Sequence, residues 1–435
     1  MTCDNISIGG PSAVIDDAEI EGRLRAWLDD AGGDPRRVLL IPPDFTRYHS
    51  HAGAITVMLH RILEERGVRM ALLPALGTHV PMTPAQIDTM FPGLPHELFV
   101  VHNWRDDLAH LGDVPASVIR DLSDGRLGWP VRCEVNRLLV EGGWDLILSV
   151  GQVVPHEVIG MANYNKNIFT GVGGSDTINK THFLGAVHGM ERIMGRADTP
   201  VRAVFDHMSG HFARGLPIAY IHTVRGKDEA GRLVTRGLFA GRHRGCFEDA
   251  AGLSRRVNLD LLDEPIRKAV VYLDPEEFKS TWLGNKAVYR TRLAMADDGE
   301  LLILAPGVRE FGEDAEIDRL IRRYGYRGTP HTLAMVEEHA ELRANLSAAA
   351  HLIHGSSEGR FRIVYCAGGL TRGEVEGVGF EWGDLGAMRE RYPVDTLRDG
   401  MQTMPDGERV FFISNPALGL WALKDQFAGG KVVRR

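Results

Sequence analysis

The chain has 435 residues, 44% hydrophobic and 25% charged, with a formal net charge of -8. These are ordinary globular values, and the length exceeds one small core, with two domains the simplest division. The negative balance excludes a general basic field for nucleic acid, and the local stretch Arg242-His243-Arg244 reads as a solvated face. No apolar run reaches bilayer length, and the N-terminus has neither a basic start nor an apolar core. A cytoplasmic protein with no nucleic-acid or membrane partner is therefore expected. Cys3, Cys133, Cys246 and Cys366 lie far apart, which argues against a disulfide framework and a cysteine metal site.

In chain order, Val38 to Ile41 is an apolar run stopped by Pro42-Pro43, a strand followed by a polar loop from Asp44 to Ser50. Ile55, Met58, Leu59, Ile62 and Leu63 recur at helical spacing up to Gly67. Met70 to Leu76 reads as the next strand, and Thr83-Pro84 as an N-cap with proline at the first helical position. Leu98 to Val101 and Leu146 to Val150 are further strand candidates, and the alternation predicts a parallel sheet flanked by helices. A hairpin follows, Ile218 to Val224 and Leu233 to Ala240, turning at Lys227-Asp228-Glu229-Ala230-Gly231. A second α/β unit begins near Lys268. Its strands are Ala269 to Leu273, Leu301 to Leu304, Phe361 to Tyr365 and Val410 to Ile413, with a helix over Lys286 to Met295. The predicted division is 1–265 and 266–404.

In open α/β sheets, ligands bind beyond the carboxyl ends of the strands. Three polar loops follow apolar runs here: Asp44-Phe45-Thr46-Arg47, Gly77-Thr78-His79, and the segment from Gly151 to His156. Any one histidine is more often a surface or capping residue than a catalyst, but three such loops in one sheet can converge on one crevice. The densest region is 151–189, where His156, Lys166, His182 and His188 stand among glycines that allow close backbone approach. A lysine in such a loop points to phosphate or a Schiff base, against the plainer reading of a flexible loop with solvated lysines. The Walker pattern and the dinucleotide fingerprint are both missing, which rejects a P-loop NTPase and disfavours an ordinary NAD enzyme.

These pieces, taken in order, resemble the nickel-dependent lactate racemase family. Asp44-Phe45-Thr46-Arg47 is similar to its Asp-x-Thr-Arg loop, and Gly77-Thr78-His79-Val80-Pro81 to its Gly-Thr-His-x-Pro motif. Lys166 stands ten positions after His156, and His182 sixteen after Lys166, as in the family; Gly160 and Gly171-Val172 sit in register. The resemblance implies two α/β domains with the active site in the cleft between them, and a chain end, 405–435, that returns to the first domain. It implies a covalently attached nickel-pincer nucleotide, a pyridinium thioamide thiocarboxylic acid mononucleotide whose sulfur-containing arms grip one nickel. Dedicated cofactor-synthesis enzymes are then expected partners. By resemblance, Lys166 holds the cofactor and His182 ligates the nickel. Asp44, Thr46 and Arg47 lie near cofactor phosphate and substrate, and His79 and His156 are the catalytic acid/base pair.

The chemistry agrees with that division. The carbon-bound hydrogen of an alcohol is not acidic enough for a side chain to remove, so inversion is easier if it leaves as hydride while a base takes the hydroxyl proton. Histidine can take and return that proton near neutrality, and imidazole suits divalent nickel. Asn163-Tyr164-Asn165 replaces a small Ser/Gly-rich stretch of lactate racemases. In the region of the family's substrate pocket stands Trp282-Leu283-Gly284-Asn285-Lys286, with Leu283 where a glutamine is expected. Lys286 matches a family lysine for the substrate carboxylate. For Trp282 and Trp421, core packing competes with substrate stacking. Amides and aromatics, with Tyr164 and Trp282 among them, suit a longer 2-hydroxy acid, a sugar acid or a neutral sugar better than lactate. The expected activity is a racemase or epimerase acting on such a small molecule. Its rivals are a non-catalytic cofactor carrier and a Schiff-base lyase using Lys166. The oligomeric state is left open.

Overall fold

The computed structural model describes residues 5–30 and 33–427, so Cys3 and the last eight residues of the expected returning chain end lie outside the described residues. The described cysteines, Cys133, Cys246 and Cys366, are free and buried. Two compact units form, 1–184 with 193–258 and 185–192 with 259–435, read over the described residues.

The first unit contains β1 (Ile6–Gly9), β2 (Arg37–Ile41), β3 (Arg69–Leu72), the hairpin β4 (Leu108–Val114) and β5 (Val131–Asn136), β6 (Leu146–Gln152), the short pair β7 (Pro155–His156) and β8 (Gly160–Met161), β9 (Ile218–Lys227) and β10 (Leu233–Gly241). Its main sheet runs β1-β10-β9-β6-β2-β3. The pairs β9·β6, β6·β2 and β2·β3 are parallel, whereas β1·β10 and β10·β9 are antiparallel, so the predicted hairpin is part of the sheet. Val38, Leu39, Leu40 and Ile41 are all buried, as a central parallel strand with both faces covered requires. The helix Ala52–Glu65 lays Ile55, Leu59, Ile62 and Leu63 on this sheet.

Three local expectations change. β3 ends at Leu72 as a regular strand, though beyond it Leu73 N and Ala75 N still donate to Leu40 O and Pro42 O. Leu98 to Val101 forms no strand: Pro95 opens a 3-10 turn, and only an isolated Leu72–Phe99 bridge follows. The loop from Asp44 to Ser50 is largely a 3-10 helix, Phe45–Ser50.

The second unit contains β11 (Asp260–Leu262), β12 (Ile266–Tyr272), β13 (Met295–Ala305), β14 (Arg362–Ala367), β15 (Glu381–Trp382), β16 (Gly400–Thr403), β17 (Arg409–Ile413) and β18 (Trp421–Leu423). Its sheet runs β15-β14-β13-β12-β17-β16, parallel except for β16·β17. Val270, Leu302, Leu304, Cys366, Val410 and Phe412 fill one face. The predicted helix from Lys286 stops at Thr291, since Met295 already opens β13.

The expected return of 405–435 to the first domain is corrected for its described part. Val410 to Ile413 is apolar enough to be a buried central strand, and it pairs with β12, while β18 pairs with β11. The division falls at 258/259 rather than 265, with 185–192 also in the second unit.

Candidate active site

Adjacent parallel strands β6, β2 and β3 end on one edge of the sheet, and each releases one of the three polar loops there. After β2, Asp44 caps the 3-10 helix: its Oδ1 accepts from Thr46 N at 3.1 Å and from Thr46 Oγ1 at 2.5 Å. Arg47 is exposed, and its Nη1 donates to Thr46 O and Thr46 Oγ1, each at 3.3 Å. After β3, His79 places Nδ1 at 2.6 Å from Asp44 Oδ2. Burial pushes the Asp44 carboxyl upward, but the hydrogen bonds from His79 and Thr46 outweigh it and hold it below the usual range. An ionised carboxylate only accepts, so Nδ1 of His79 carries a proton and neutral His79 presents a lone pair at Nε2.

After β6 comes the β7·β8 pair with His156, whose Nδ1 accepts from Val158 N at 3.1 Å. Burial pushes this imidazole well below its ordinary range, against the pull of Glu157. Neutral His156 therefore carries its proton on Nε2, the opposite arrangement to His79.

The chain then tightens. Gly160 has φ +90°, and a Cβ there would stand 2.1 Å from Arg196 O, so only glycine fits. Asn163 and Tyr164 are both left-handed, with φ 66° and 59°, a conformation that costs roughly 1–3 kcal/mol per residue and persists only where the surroundings enforce it. Lys166 follows and leads into a π-turn, Asn167–Gly171, of a kind frequent at functional sites. The turn is anchored on several sides. Asn167 Nδ2 donates to Val150 O on β6 at 3.2 Å, Gly171 O accepts from Gly77 N at 2.8 Å, and Val172 O accepts from Asn136 N at 2.7 Å. Burial, with the Arg47 charge, lowers the Lys166 amine to about 8.

His182 lies on the helix Ser175–His188, and its Nδ1 donates to Ile178 O at 2.6 Å, which leaves the Nε2 lone pair for another partner. Burial lowers this imidazole to about 4, so it is neutral at ordinary pH, the form in which histidine binds metal. His156 senses the charges of Lys166, His182 and Arg47, and Lys166 senses those of Arg47, Glu157 and Asp44. The predicted Asp44, Thr46, Arg47, His79, His156, Lys166 and His182 thus form one constellation in the first unit.

Residues 25–194 match the model of the lactate racemase N-terminal domain. This part of the chain is, by sequence, a lactate racemase N-terminal domain. The matched segment carries all seven residues of the constellation. Nearly the whole chain shares its fold with two solved structures. One is a protein from Thermotoga maritima, with TM-score 0.77, 23% identity, and 96% of this chain and 100% of that one covered. The other is the lactate racemase apoprotein from Thermoanaerobacterium thermosaccharolyticum, with TM-score 0.69, 15% identity, and 96% and 94% covered. At these identities the likeness is one of fold. No curated protein matches the chain.

Set against lactate racemases, the Asn163-Tyr164-Asn165 departure turns inward. Asn163, Tyr164 and Asn165 are all buried. Asn163 Nδ2 donates to His222 Nδ1 at 2.9 Å, and Asn165 Nδ2 to Asp206 Oδ1 at 2.8 Å. The Tyr164 ring packs on Tyr220 and Phe247, with centroids at 4.4 and 5.1 Å. The expected substrate role of Tyr164 is corrected accordingly: left-handed backbone at 163 and 164 turns these side chains into the core. Trp282 and Lys286 belong to the second unit, where Trp282 stacks on His351 at 4.1 Å and Lys286 Nζ lies 5.6 Å from the Phe278 ring centroid. Trp421 is buried against Phe411. Sequence reading missed Val158, Arg202, Asp206 and His222, whose roles come from contacts that no local motif signals.

Proposed function

We propose that the chain is a racemase or epimerase that inverts a secondary-alcohol carbon by reversible hydride transfer. The observation that carries this reading is the pairing, on one sheet edge, of a histidine with a free Nε2 lone pair and a histidine with an Nε2 proton, beside a lysine of lowered basicity. A carrier of the cofactor needs neither histidine so prepared.

The nickel-pincer nucleotide fits the donor set. Lys166 would hold it through its amine, and His182 would offer neutral Nε2 to nickel, which accepts imidazole readily. Among the described residues no group of three or more histidine, cysteine or acidic side chains is placed to hold a metal. Thr46 and Arg47 would serve its phosphate or the substrate. Bound there, the group would supply a hydride acceptor.

The chain's own residues then move the proton. His79 takes the hydroxyl proton at Nε2, and Asp44 supports the resulting imidazolium. His156 Nε2–H donates a hydrogen bond to the same oxygen and holds it as the carbon becomes planar. Return of the proton to the alkoxide completes inversion when hydrogen comes back on the other face. The exposed Arg47 guanidinium suits a carboxylate, so a 2-hydroxy acid, sugar acids included, is the favoured substrate. With Asn163, Tyr164 and Asn165 turned inward, a neutral sugar loses its main support. The substrate roles of Lys286 and Trp282 rest on the family resemblance.

The test is co-expression with cofactor-synthesis enzymes, then incubation of single antipodes of 2-hydroxy acids and sugar acids in D₂O, followed by chiral chromatography and NMR. The expected result is interconversion with the carbon-bound hydrogen retained. Deuterium at that carbon overturns the hydride route. A loaded protein that converts nothing leaves the carrier reading, and a borohydride-trapped substrate adduct on Lys166 favours the lyase.

A further inference from the structure

Arg202 stands on the helix Pro200–His211, whose N-cap Thr199 accepts from Arg202 N at 3.1 Å and donates to Ile159 O at 3.0 Å. Its side chain is fully buried. A buried cation is costly unless well bonded, and one built only for stability is readily replaced by an apolar residue. The partners here are therefore informative. Nη2 donates to Met161 O at 2.6 Å, while Nη1 donates to Asn163 O at 3.2 Å and to the amide oxygen of Asn165. The guanidinium carbon lies 4.4 Å from the Phe247 ring centroid and 5.7 Å from that of Tyr164.

All three acceptors come from residues 161–165, the segment that ends at Lys166. Within it, Asn163 and Tyr164 hold φ values of 66° and 59°, which ordinary side chains leave unless restrained. A planar fork with several fixed donors can restrain three points at once; a lysine ammonium lacks that shape. A second tie works from the other side. Asn165 Nδ2 donates to Asp206 Oδ1 at 2.8 Å, and Asp206 pairs with Arg244, which reaches Glu248 at 2.8 Å.

We infer that Arg202 is a positioning residue: its buried guanidinium clamps the left-handed turn at Asn163 and Tyr164 and so sets the direction of the Lys166 side chain. This gives the turn a purpose within the proposed function, on which the inference rests, but its test does not need the cofactor.

Cofactor-free wild type, Arg202→Lys and Arg202→Met are labelled with limiting acetic anhydride at one pH and mapped by peptide mass. Exposed Lys227 serves as the internal reference. Thermal unfolding and amide hydrogen exchange are followed in parallel. Both variants are expected to raise the Lys166-to-Lys227 labelling ratio several-fold, because release of the turn exposes a half-buried amine to the reagent. Exchange should rise over 161–167 and stay unchanged over the helix Ser175–His188. Failure of Arg202→Lys to rescue separates geometry from charge. Should neither variant fold, Asn165→Ala removes one clamp point together with the Asp206 tie, and its ratio should rise by about twofold or more. A folded variant with an unchanged ratio, or full rescue by lysine, overturns the inference. Because the reagent reads the bare amine, this result is independent of whether Lys166 carries the nucleotide, which intact mass decides separately.

Discussion

Oδ2 of Asp44 and Nδ1 of His79 are 2.6 Å apart, though 35 positions separate them in the chain. The bond fixes which nitrogen of His79 is basic, since the carboxylate can only accept. Asp44→Asn removes the charge and offers an amide that can donate as readily as it accepts, so the ring is released to its other tautomer. Turnover should fall by about 10²–10⁴-fold, the usual worth of general acid/base catalysis. Steady-state kinetics on the loaded enzyme check this; a loss under threefold would mean that Asp44 serves only the cap of the 3-10 helix.

Lys166→Ala should abolish covalent attachment without unfolding the chain, because the amine follows a turn whose bonds come from other residues. Intact mass after co-expression with the synthesis enzymes decides it. An adduct of wild-type mass on the variant would remove Lys166 from the site.

His182→Ala should lower nickel retention while the organic part stays attached. The imidazole Nε2 is the group left available once Nδ1 is bound to Ile178 O. Elemental analysis beside intact mass reads metal and adduct separately. Full nickel occupancy in the variant would show that another residue ligates.

The loops of this site were legible because they follow apolar runs that only buried strands explain, and the N-cap at Thr83 was written in the pair Thr83-Pro84. The partners of those loops were not legible. Arg202 lies 36 positions beyond Lys166 (202 − 166 = 36), and nothing in Pro200 to His211 distinguishes its arginine from one on a solvated helix. Asn163, Tyr164 and Asn165 misled for a related reason: polar and aromatic side chains look ligand-facing until the backbone φ is known. The return of the chain end to the first domain was implied by the resemblance alone, whereas the apolar run Val410 to Ile413 reads as a strand of the second unit and pairs there with β12.

His222 gives a pH dependence. Burial first, then the nearby Arg202 charge, lowers it to about 3. A histidine whose folded value lies below the usual ~6.5 binds its proton more readily when unfolded. Its stabilising neutral form is fully present above that value, and stability falls as pH drops from there toward 3. The limiting slope is about 1.4 kcal/mol per pH unit for one proton. Urea unfolding at pH 7 and pH 5 should show lower stability at pH 5. His222→Gln keeps an acceptor for Asn163 and cannot titrate, so its difference should be smaller. Equal differences in the two proteins would place the acid sensitivity elsewhere.

The two histidines proposed as catalytic are prepared in opposite senses, and this can be measured without turnover. Val158 N–H can only donate, and it lies 3.1 Å from His156 Nδ1, so that nitrogen holds the lone pair. Glu157 Oε2 is 3.9 Å from the same nitrogen, too far for a hydrogen bond but near enough to favour a charged ring. For the neutral rings, ¹⁵N-histidine spectra should therefore report an Nε2–H tautomer for His156 and an Nδ1–H tautomer for His79, with each assigned by its alanine variant. His79→Ala should then lose turnover by about 10²–10⁴-fold, since it removes the base. His156→Ala removes a hydrogen-bond donor from the oxygen and should cost about 10²–10³-fold, the range seen for one such donor. Nδ1–H on both rings would make them equivalent bases. The division of labour between base and donor would then give way to a symmetric pair in which either histidine serves either antipode.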